Sequence, residues 1–178
     1  MSSHVQHMTA VSLPDGNTIL FQVNEKYEIV YYESQTTIES IPDAKKYGTD
    51  TLQIKNKAIK VNTELPVIAA VAFQHPNSCG GKAQVRVYYV DRDSLQLCEL
   101  IRVGGNGENW QEGDVTSKQW GIAPTSGLTA NVFQPSNDKS KFQIKVYYQR
   151  DNRDTYPDLA YNVVASGDDW SQRANITK

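Results

Sequence analysis

Short apolar stretches separated by polar turns recur along the chain, and their length and composition predict β-strands. In each third of the sequence a small apolar stretch comes first, a β-branched or aromatic stretch comes second, and a third stretch follows. These stretches span residues 8–13, 19–23 and 27–32, then 67–73, 85–90 and 94–101, then 128–133, 144–148 and 159–164. No sustained apolar stripe has a period of 3.6 residues, so we expect little helix.

A similar tripeptide recurs every 60 residues along the chain, at residues 9–11, 69–71 and 129–131. The same interval of 60 residues separates Trp110 from Trp170. A repeat of this length is one supersecondary unit. Four strands per unit are typical of a β-propeller blade, in which the innermost strand favours small side chains such as Ala69 and Ala70. We therefore predict one all-β domain over residues 1–178, a β-propeller of three four-stranded blades at about 8–66, 67–127 and 128–178.

Three blades are too few to close a ring, because closed propellers have about four to eight. A two-fold homodimer would join three blades to three and leave no blade face exposed. The alternatives are that the chain is a fragment of a longer propeller or that its repeats form a sandwich.

The charge balance argues against two classes of partner. Lys and Arg number 18 and Asp and Glu 20, so the net charge is −2. Nucleic acids and anionic membranes attract cationic surfaces, and we expect neither as a partner. The chain has no apolar run of about 18 residues, and residues 1–9 lack an apolar signal core. These features predict no signal peptide and a cytoplasmic or non-classically released protein.

Candidate catalytic chemistry is sparse in this sequence. His, Cys and acidic residues show no metal-ligand spacing, and no nucleophile or phosphate-binding motif is present, so we expect no metal and no cofactor and assign no catalytic residue. Cys79 and Cys98 are expected to be free thiols, with a disulfide or a redox role as the alternative.

Several segments recur in the same order in the second and third repeats. They are residues 68–71, 85–89, 109–113 and 122–128, then 144–149, 159–161 and 169–170. In sequence and order they resemble the fungal fucose-specific lectins of the Aleuria type. The resemblance is good over residues 67–178 and weak over 8–66. It implies six blades per ring and sugar-binding sites between adjacent blades.

In that family, an Arg on the second strand and a Glu about twelve residues later bind sugar hydroxyls, and aromatic rings of the next blade stack on the sugar. Only some of the corresponding positions in this chain have residues that could take these roles. Arg86 is kept, but Leu97 lies where the Glu is expected and Glu99 is two residues further on. Lys145 and Asp158 form a weaker version of the pair in blade three. The ligand-binding set implied is Arg86, Leu97, Glu99, Trp110, Lys145, Asp158, Tyr161 and Trp170.

Three different pockets follow from this assignment. The best is expected between blades two and three, where Arg86 and Glu99 face Trp170 and Tyr161. Between blades one and two, Trp110 should face two uncharged residues, Thr18 and Val30. At a dimer seam, Lys145 and Asp158 should meet blade one of the partner. A structural alternative exists for each, since Arg86 could pair with Glu99, Lys145 with Asp158, and both tryptophans could be packing residues.

Two function classes are compatible with these residues. The first is a lectin-like protein that binds a glycan or another small ligand between blades, with fucose specificity in doubt because the carboxylates are displaced. The second is a cofactor-independent enzyme on the same scaffold. Its pocket, made apolar by Leu97 and Val30, would shape a hydrophobic fungal secondary metabolite for cyclisation, isomerisation or cycloaddition.

Overall fold

The computed structural model describes residues 6–37, 47–138, 141–151, 156–164 and 169–176. They form three four-stranded antiparallel sheets, each a simple meander in chain order, and one two-stranded hairpin. These sheets confirm the predicted all-β fold and the three four-stranded blades. In the described part of the chain, no helix is long and apolar enough to cross a membrane.

The three sheets correspond to the three repeats. Blade one contains β1 (Met8–Ser12), β2 (Thr18–Val23), β3 (Ile29–Ser34) and β4 (Tyr47–Thr51), followed by the hairpin β5 (Gln53–Ile54) and β6 (Lys57–Ala58). Blade two contains β7 (Ile68–Gln74), the 3₁₀ turn η1 (Cys79–Gly81), β8 (Ala83–Val90), β9 (Leu97–Val103), β10 (Trp110–Glu112) and the short helix α1 (Asp114–Lys118). Blade three contains β11 (Thr129–Phe133), β12 (Gln143–Tyr148), β13 (Asp158–Val163) and β14 (Trp170–Arg173).

The first strands of the blades lie side by side, with β7 between β1 and β11. Small side chains allow this close approach, since Ala69 and Ala70 are both buried on β7. The repeated tripeptides at residues 9–11, 69–71 and 129–131 therefore lie in β1, β7 and β11, the innermost strand of each blade, where crowding is greatest.

Two hydrophobic cores hold the blades together, and both lie between sheets. The first joins blades one and two through residues such as Phe21, Val85 and Leu100. The second joins blades two and three through residues such as Leu97 and Ile144. Because side chains alternate across a strand, blade two is buried on both faces, while blades one and three each pack one face.

The fourth strand of each blade begins with an aromatic residue: Tyr47 in β4, Trp110 in β10 and Trp170 in β14. The repeat interval identified the two tryptophans as equivalent. Tyr47 is the corresponding residue of blade one. It lies 63 positions before Trp110, whereas the repeat interval is 60, so the repeat does not align it with the tryptophans.

His7 ties the start of the described chain to blade two. Its Nδ1 accepts a hydrogen bond from the Ile68 amide at 3.2 Å, and its carbonyl accepts one from the Val23 amide at 3.0 Å. Burial lowers the pKa of His7 from its ordinary value of 6.5. Only the neutral ring can accept the Ile68 hydrogen bond, since both nitrogens of a protonated imidazole are donors.

We expect the stability that His7 contributes to depend on pH. Its folded-state pKa is lowered, so the contribution is complete above pH 6.5 and is lost as the pH falls through the folded-state pKa. The difference in free energy of unfolding between wild type and His7→Ala should therefore be larger at pH 7.5 than at pH 5. Urea unfolding at both pH values measures it, and a difference independent of pH would contradict this role.

Candidate functional site

Arg86 and Glu99 bind each other in the core between blades two and three. Arg86 Nη1 lies 3.0 Å from Glu99 Oε1, and the two residues are 2% and 0% exposed. They lie on β8 and β9, on the face of blade two that packs against blade three. Arg86 and Glu99 were expected to face the same pocket, and the observed register puts them on one face of blade two, with Arg86 opposite Ile101 and Tyr88 opposite Glu99.

Further hydrogen bonds fix the Glu99 carboxylate in this core. The Tyr88 hydroxyl donates to Oε1 at 3.1 Å, and the Val115 amide donates to Oε2 at 3.3 Å. Burial raises the pKa of Glu99, and the nearby Arg86 guanidinium acts in the opposite direction. Both charged groups are therefore held by protein atoms, which is the structural alternative named above for this pair.

The pocket expected between blades two and three is filled by side chains. Trp170 is 4% exposed and its ring meets that of Tyr88 edge-on at 5.8 Å. Leu97 is fully buried in the same core. Tyr161 does not lie across from Arg86, because its neighbour Ala160 occupies the inner face of β13 and Tyr161 points to the outer one. Ligand binding by these residues stays a prediction.

A second buried Arg–Glu pair joins blades one and two, and it was not predicted from the sequence. Arg102 Nη1 lies 2.7 Å from Glu33 Oε2, and Arg102 Nη2 lies 2.9 Å from Glu33 Oε1. The residues are 69 positions apart and belong to different repeats, so no local spacing relates them. One signal was available: Glu33 directly follows the stretch predicted at 27–32 and continues the alternation of Ile29 and Tyr31 on one face, where an unpaired charge is costly.

Trp110 packs against this second pair rather than against uncharged residues alone. Its ring lies 6.0 Å from Phe21 and 6.1 Å from Tyr31, and the Arg102 guanidinium lies 5.3 Å from it. The expectation that Trp110 faces Thr18 and Val30 was wrong. In the observed register both belong to the opposite face of blade one, because they alternate with Ile19 and with Tyr31.

The predicted pairing of Lys145 with Asp158 was also wrong, since the two lie on opposite faces of blade three. Lys145 is opposite Tyr161 in the sheet and its Nζ lies 4.9 Å from the Phe133 ring centroid. Asp158 is fully buried and pairs with Arg150 at 3.3 Å.

The Asp158 carboxylate is held by hydrogen bonds from protein groups. Burial raises its pKa, but hydrogen bonds from the Arg150 side chain and from the amides of Arg150 and Asn175 outweigh that effect and lower it. These bonds join β13 to residues beyond β12 and β14, so they stabilise the end of blade three.

A groove of about 1220 Å³ lies at the outer rim between blades one and two. Parts of β4, the β5–β6 hairpin and β10 form its walls. The hairpin has a two-residue turn in which Lys55 and Asn56 both have positive φ, the geometry of a type I′ turn. We call this cavity the rim groove.

The lining of the rim groove is mixed in chemistry. Three aromatic residues line it, together with amide groups and charged groups of both signs. The aromatic residues are Tyr31, Tyr89 and Trp110, the carboxylates are Asp50, Asp91, Glu108 and Glu112, and the cations are Lys55, Lys57, Lys60 and Arg92. Of the predicted site residues, only Trp110 lines this groove.

The described residues contain no group of three or more His, Cys, Asp and Glu side chains arranged to hold a metal ion. Cys79 and Cys98 are free thiols, as predicted, with Cys79 exposed and Cys98 buried. Burial raises the pKa of Cys98 to about 11, so its reactive thiolate is scarce at neutral pH.

Comparison with known proteins shows the fold of this chain. No protein-family model and no curated protein matches it. Solved structures of the Aleuria aurantia lectin do, all at 19% sequence identity and covering 95% of this chain. They are the fucose-specific lectin in a mercury-derivative form (TM-score 0.66), an N224Q mutant in complex with Fucα1-6GlcNAc (0.64) and the same mutant with α-methyl-L-fucoside (0.62).

The chain spans about half the length of these lectin structures, 47–48% of each. The three sheets thus have the arrangement of part of a lectin-type β-propeller. The fold expected from the resemblance is confirmed.

Proposed function

We propose that this protein is a lectin-like binding protein whose rim groove takes a carbohydrate. The observation that carries this proposal is the groove itself, a cavity of about 1220 Å³ in which aromatic and charged groups lie side by side. The likeness to a sugar-binding lectin supports a binding function on this fold, while function itself depends on the site.

The lining of the rim groove suits a hydroxyl-rich ligand. Carboxylates such as Asp50 and Glu112 accept hydrogen bonds from sugar hydroxyls, and lysines of the hairpin donate them. Tyr31 is only partly buried, and its aromatic face can cover the C–H groups of a sugar ring, with the Trp110 ring packed beside it. Apolar small molecules prefer predominantly apolar pockets, so this mixed lining favours a polar ligand.

Fucose is only one candidate within this class. The family's sugar-binding pattern needs an Arg and a Glu that face the sugar, whereas here Arg86 binds Glu99 and Arg102 binds Glu33. All four side chains are 5% exposed or less. We therefore propose that the rim groove binds the carbohydrate, and that the buried Arg–Glu pairs do not.

The enzyme hypothesis loses its main premise. It relied on an apolar pocket formed by Leu97 and Val30, but Leu97 is in the core between blades two and three, and neither residue lines the rim groove. The polar lining gives no comparable place for a hydrophobic metabolite.

We further propose that the protein acts as a homodimer. Two copies would carry two rim grooves, and a ligand that bears several sugars would bind both. Because the second binding event is then intramolecular, avidity would exceed the affinity of a single groove.

A glycan array followed by calorimetry on the best oligosaccharide tests this proposal. Asp50→Ala and Glu112→Ala change exposed carboxylates of the groove, and each should weaken binding about tenfold or more, because a hydrogen bond to a charged group contributes about 1.5–3 kcal/mol. Glu25→Ala, an exposed change away from the groove, is the control and should bind like wild type. An array without signal, or unchanged affinity in both variants, would contradict the proposal.

A further inference from the structure

We propose that two copies of this chain join the outer face of blade three to the outer face of blade one and so close a six-bladed ring. This inference rests on the proposed homodimer and assigns its interface. The outer face of blade three carries Phe133, Lys145, Tyr147 and Tyr161. The outer face of blade one carries Leu20, Val30, Tyr32 and Tyr47.

Exposed apolar surface is concentrated on these two blades. Among the described residues, the large hydrophobic side chains that are exposed are Met8 (56%), Phe133 (46%), Tyr156 (38%), Tyr47 (37%) and Val132 (36%). All five belong to blade one or blade three and none to blade two, whose two faces are both covered. Met8, Tyr47 and Phe133 lie on the outer faces, while Val132 lies on the inner face of β11. Apolar surface confined to the ends of an open arc is typical of an interface.

The outer face of blade three repeats the buried face of blade two. On blade two, the Arg86 guanidinium lies 5.6 Å from the Phe73 ring. On blade three, Lys145 Nζ lies 4.9 Å from the ring of Phe133, which occupies the place of Phe73 in the next repeat.

The difference between the two faces is what covers them. Phe73 is 5% exposed because Phe142 of the next blade packs on it at 5.1 Å between ring centroids. Phe133 likewise has a cation over its ring, that of Lys145, but it remains 46% exposed. Blade three therefore presents a face of the kind that accepts a following blade.

Blade one presents the matching face. The first residue of the fourth strand packs against the preceding blade in the other two cases, Trp110 against Phe21 and Trp170 against Tyr88. The two tryptophans are 9% and 4% exposed, whereas Tyr47 is 37% exposed. Its preceding blade is supplied by blade three of the second copy.

Closure creates one composite pocket at each of two identical seams. By analogy with the contact between Trp170 and Tyr88, Tyr47 of one copy would pack on Tyr147 of the other, beside Lys145, so neither copy holds this pocket alone. A two-fold axis relates the seams, as in most homodimers. The seam pocket lacks the carboxylate of Glu99, since Leu159 occupies the corresponding position opposite Tyr147.

Sedimentation velocity on the purified protein tests the interface. Wild type should sediment with twice the chain mass of 20.0 kDa, while Phe133→Glu on blade three and Leu20→Glu on blade one should each sediment at 20.0 kDa. Gln111→Glu, an exposed change on blade two, is the control and should stay dimeric. A monomeric wild type, or a dimeric Phe133→Glu or Leu20→Glu variant, would overturn the proposal.

Mixing the two damaged variants adds a readout that loss of folding cannot imitate. Phe133→Glu keeps an intact blade one, and Leu20→Glu keeps an intact blade three, so a mixed dimer has one undamaged seam. An equimolar mixture should therefore regain dimers that neither variant forms alone, and a mixture that stays at 20.0 kDa would contradict a seam between blades three and one. Sugar binding is measured separately, because the rim groove lies within one copy and monomeric variants should retain its single-site affinity.

Discussion

Replacing Arg102 with methionine is expected to lower the free energy of unfolding by about 3–5 kcal/mol, because it leaves Glu33 charged and buried without its partner. The two residues form a bidentate pair at 2.7 and 2.9 Å between blades one and two. Methionine keeps much of the apolar stem but provides no donor. Chemical denaturation followed by tryptophan fluorescence measures the loss.

The double variant Arg102→Met with Glu33→Met separates charge from packing. Removing both charges should recover most of the lost stability, since well-packed apolar side chains often replace a buried ion pair without cost. Arg92→Met is the matched control, because Arg92 and Asp93 form an exposed pair at 3.8 Å that contributes about 1 kcal/mol at most. Equal losses for Arg102→Met and Arg92→Met would contradict the role assigned to the buried pair.

Replacing Gly113 with alanine is expected to destabilise the protein by about 3 kcal/mol through overpacking against the Glu99 carboxylate. An added Cβ would lie 2.3 Å from Glu99 Oε2 and 2.5 Å from its Cγ and Cδ. The carboxylate cannot move aside at low cost, because Arg86, Tyr88 and the Val115 amide all bind it. Thermal unfolding followed by circular dichroism measures the effect.

Gly127→Ala is the control for this prediction. A Cβ at Gly127 meets no atom within 4 Å, so alanine should leave stability unchanged or raise it slightly. If Gly113→Ala were as stable as Gly127→Ala, the network around Glu99 would have to be looser than its hydrogen bonds indicate.

The blade architecture could be predicted from the sequence because it is repetitive and local. Small residues recur on the innermost strands and a Trp opens the fourth strand of blades two and three, so spacing alone aligned these elements. Tyr47 was not aligned because it lies 63 positions before Trp110, whereas Trp110 lies 60 positions before Trp170. The alternation of side chains along a strand also predicted that Arg86 and Glu99 share a face.

The candidate site could be predicted much less well. The pairing of Lys145 with Asp158 failed because the register of β12 and β13 differs by one residue from the register assumed, which puts the two side chains on opposite faces. Arg102 and Glu33 are 69 positions apart in the sequence and come into contact only when blades one and two pack together. The rim groove depends on the β5–β6 hairpin, a short insertion after blade one that has no counterpart in the repeat used for alignment.

The central claim is that the ligand site is the rim groove between blades one and two, and the indole N–H signals of the three tryptophans test it most directly. Each signal in a ¹H–¹⁵N spectrum can be assigned with a Trp→Phe variant and followed as the best oligosaccharide of the array is added. We expect the Trp110 signal to shift with ligand concentration, because its residue lines the rim groove, while the signal of Trp170, in the core between blades two and three, stays in place. A shift of the Trp170 signal with an unmoved Trp110 signal would place the ligand between blades two and three and contradict binding in the rim groove.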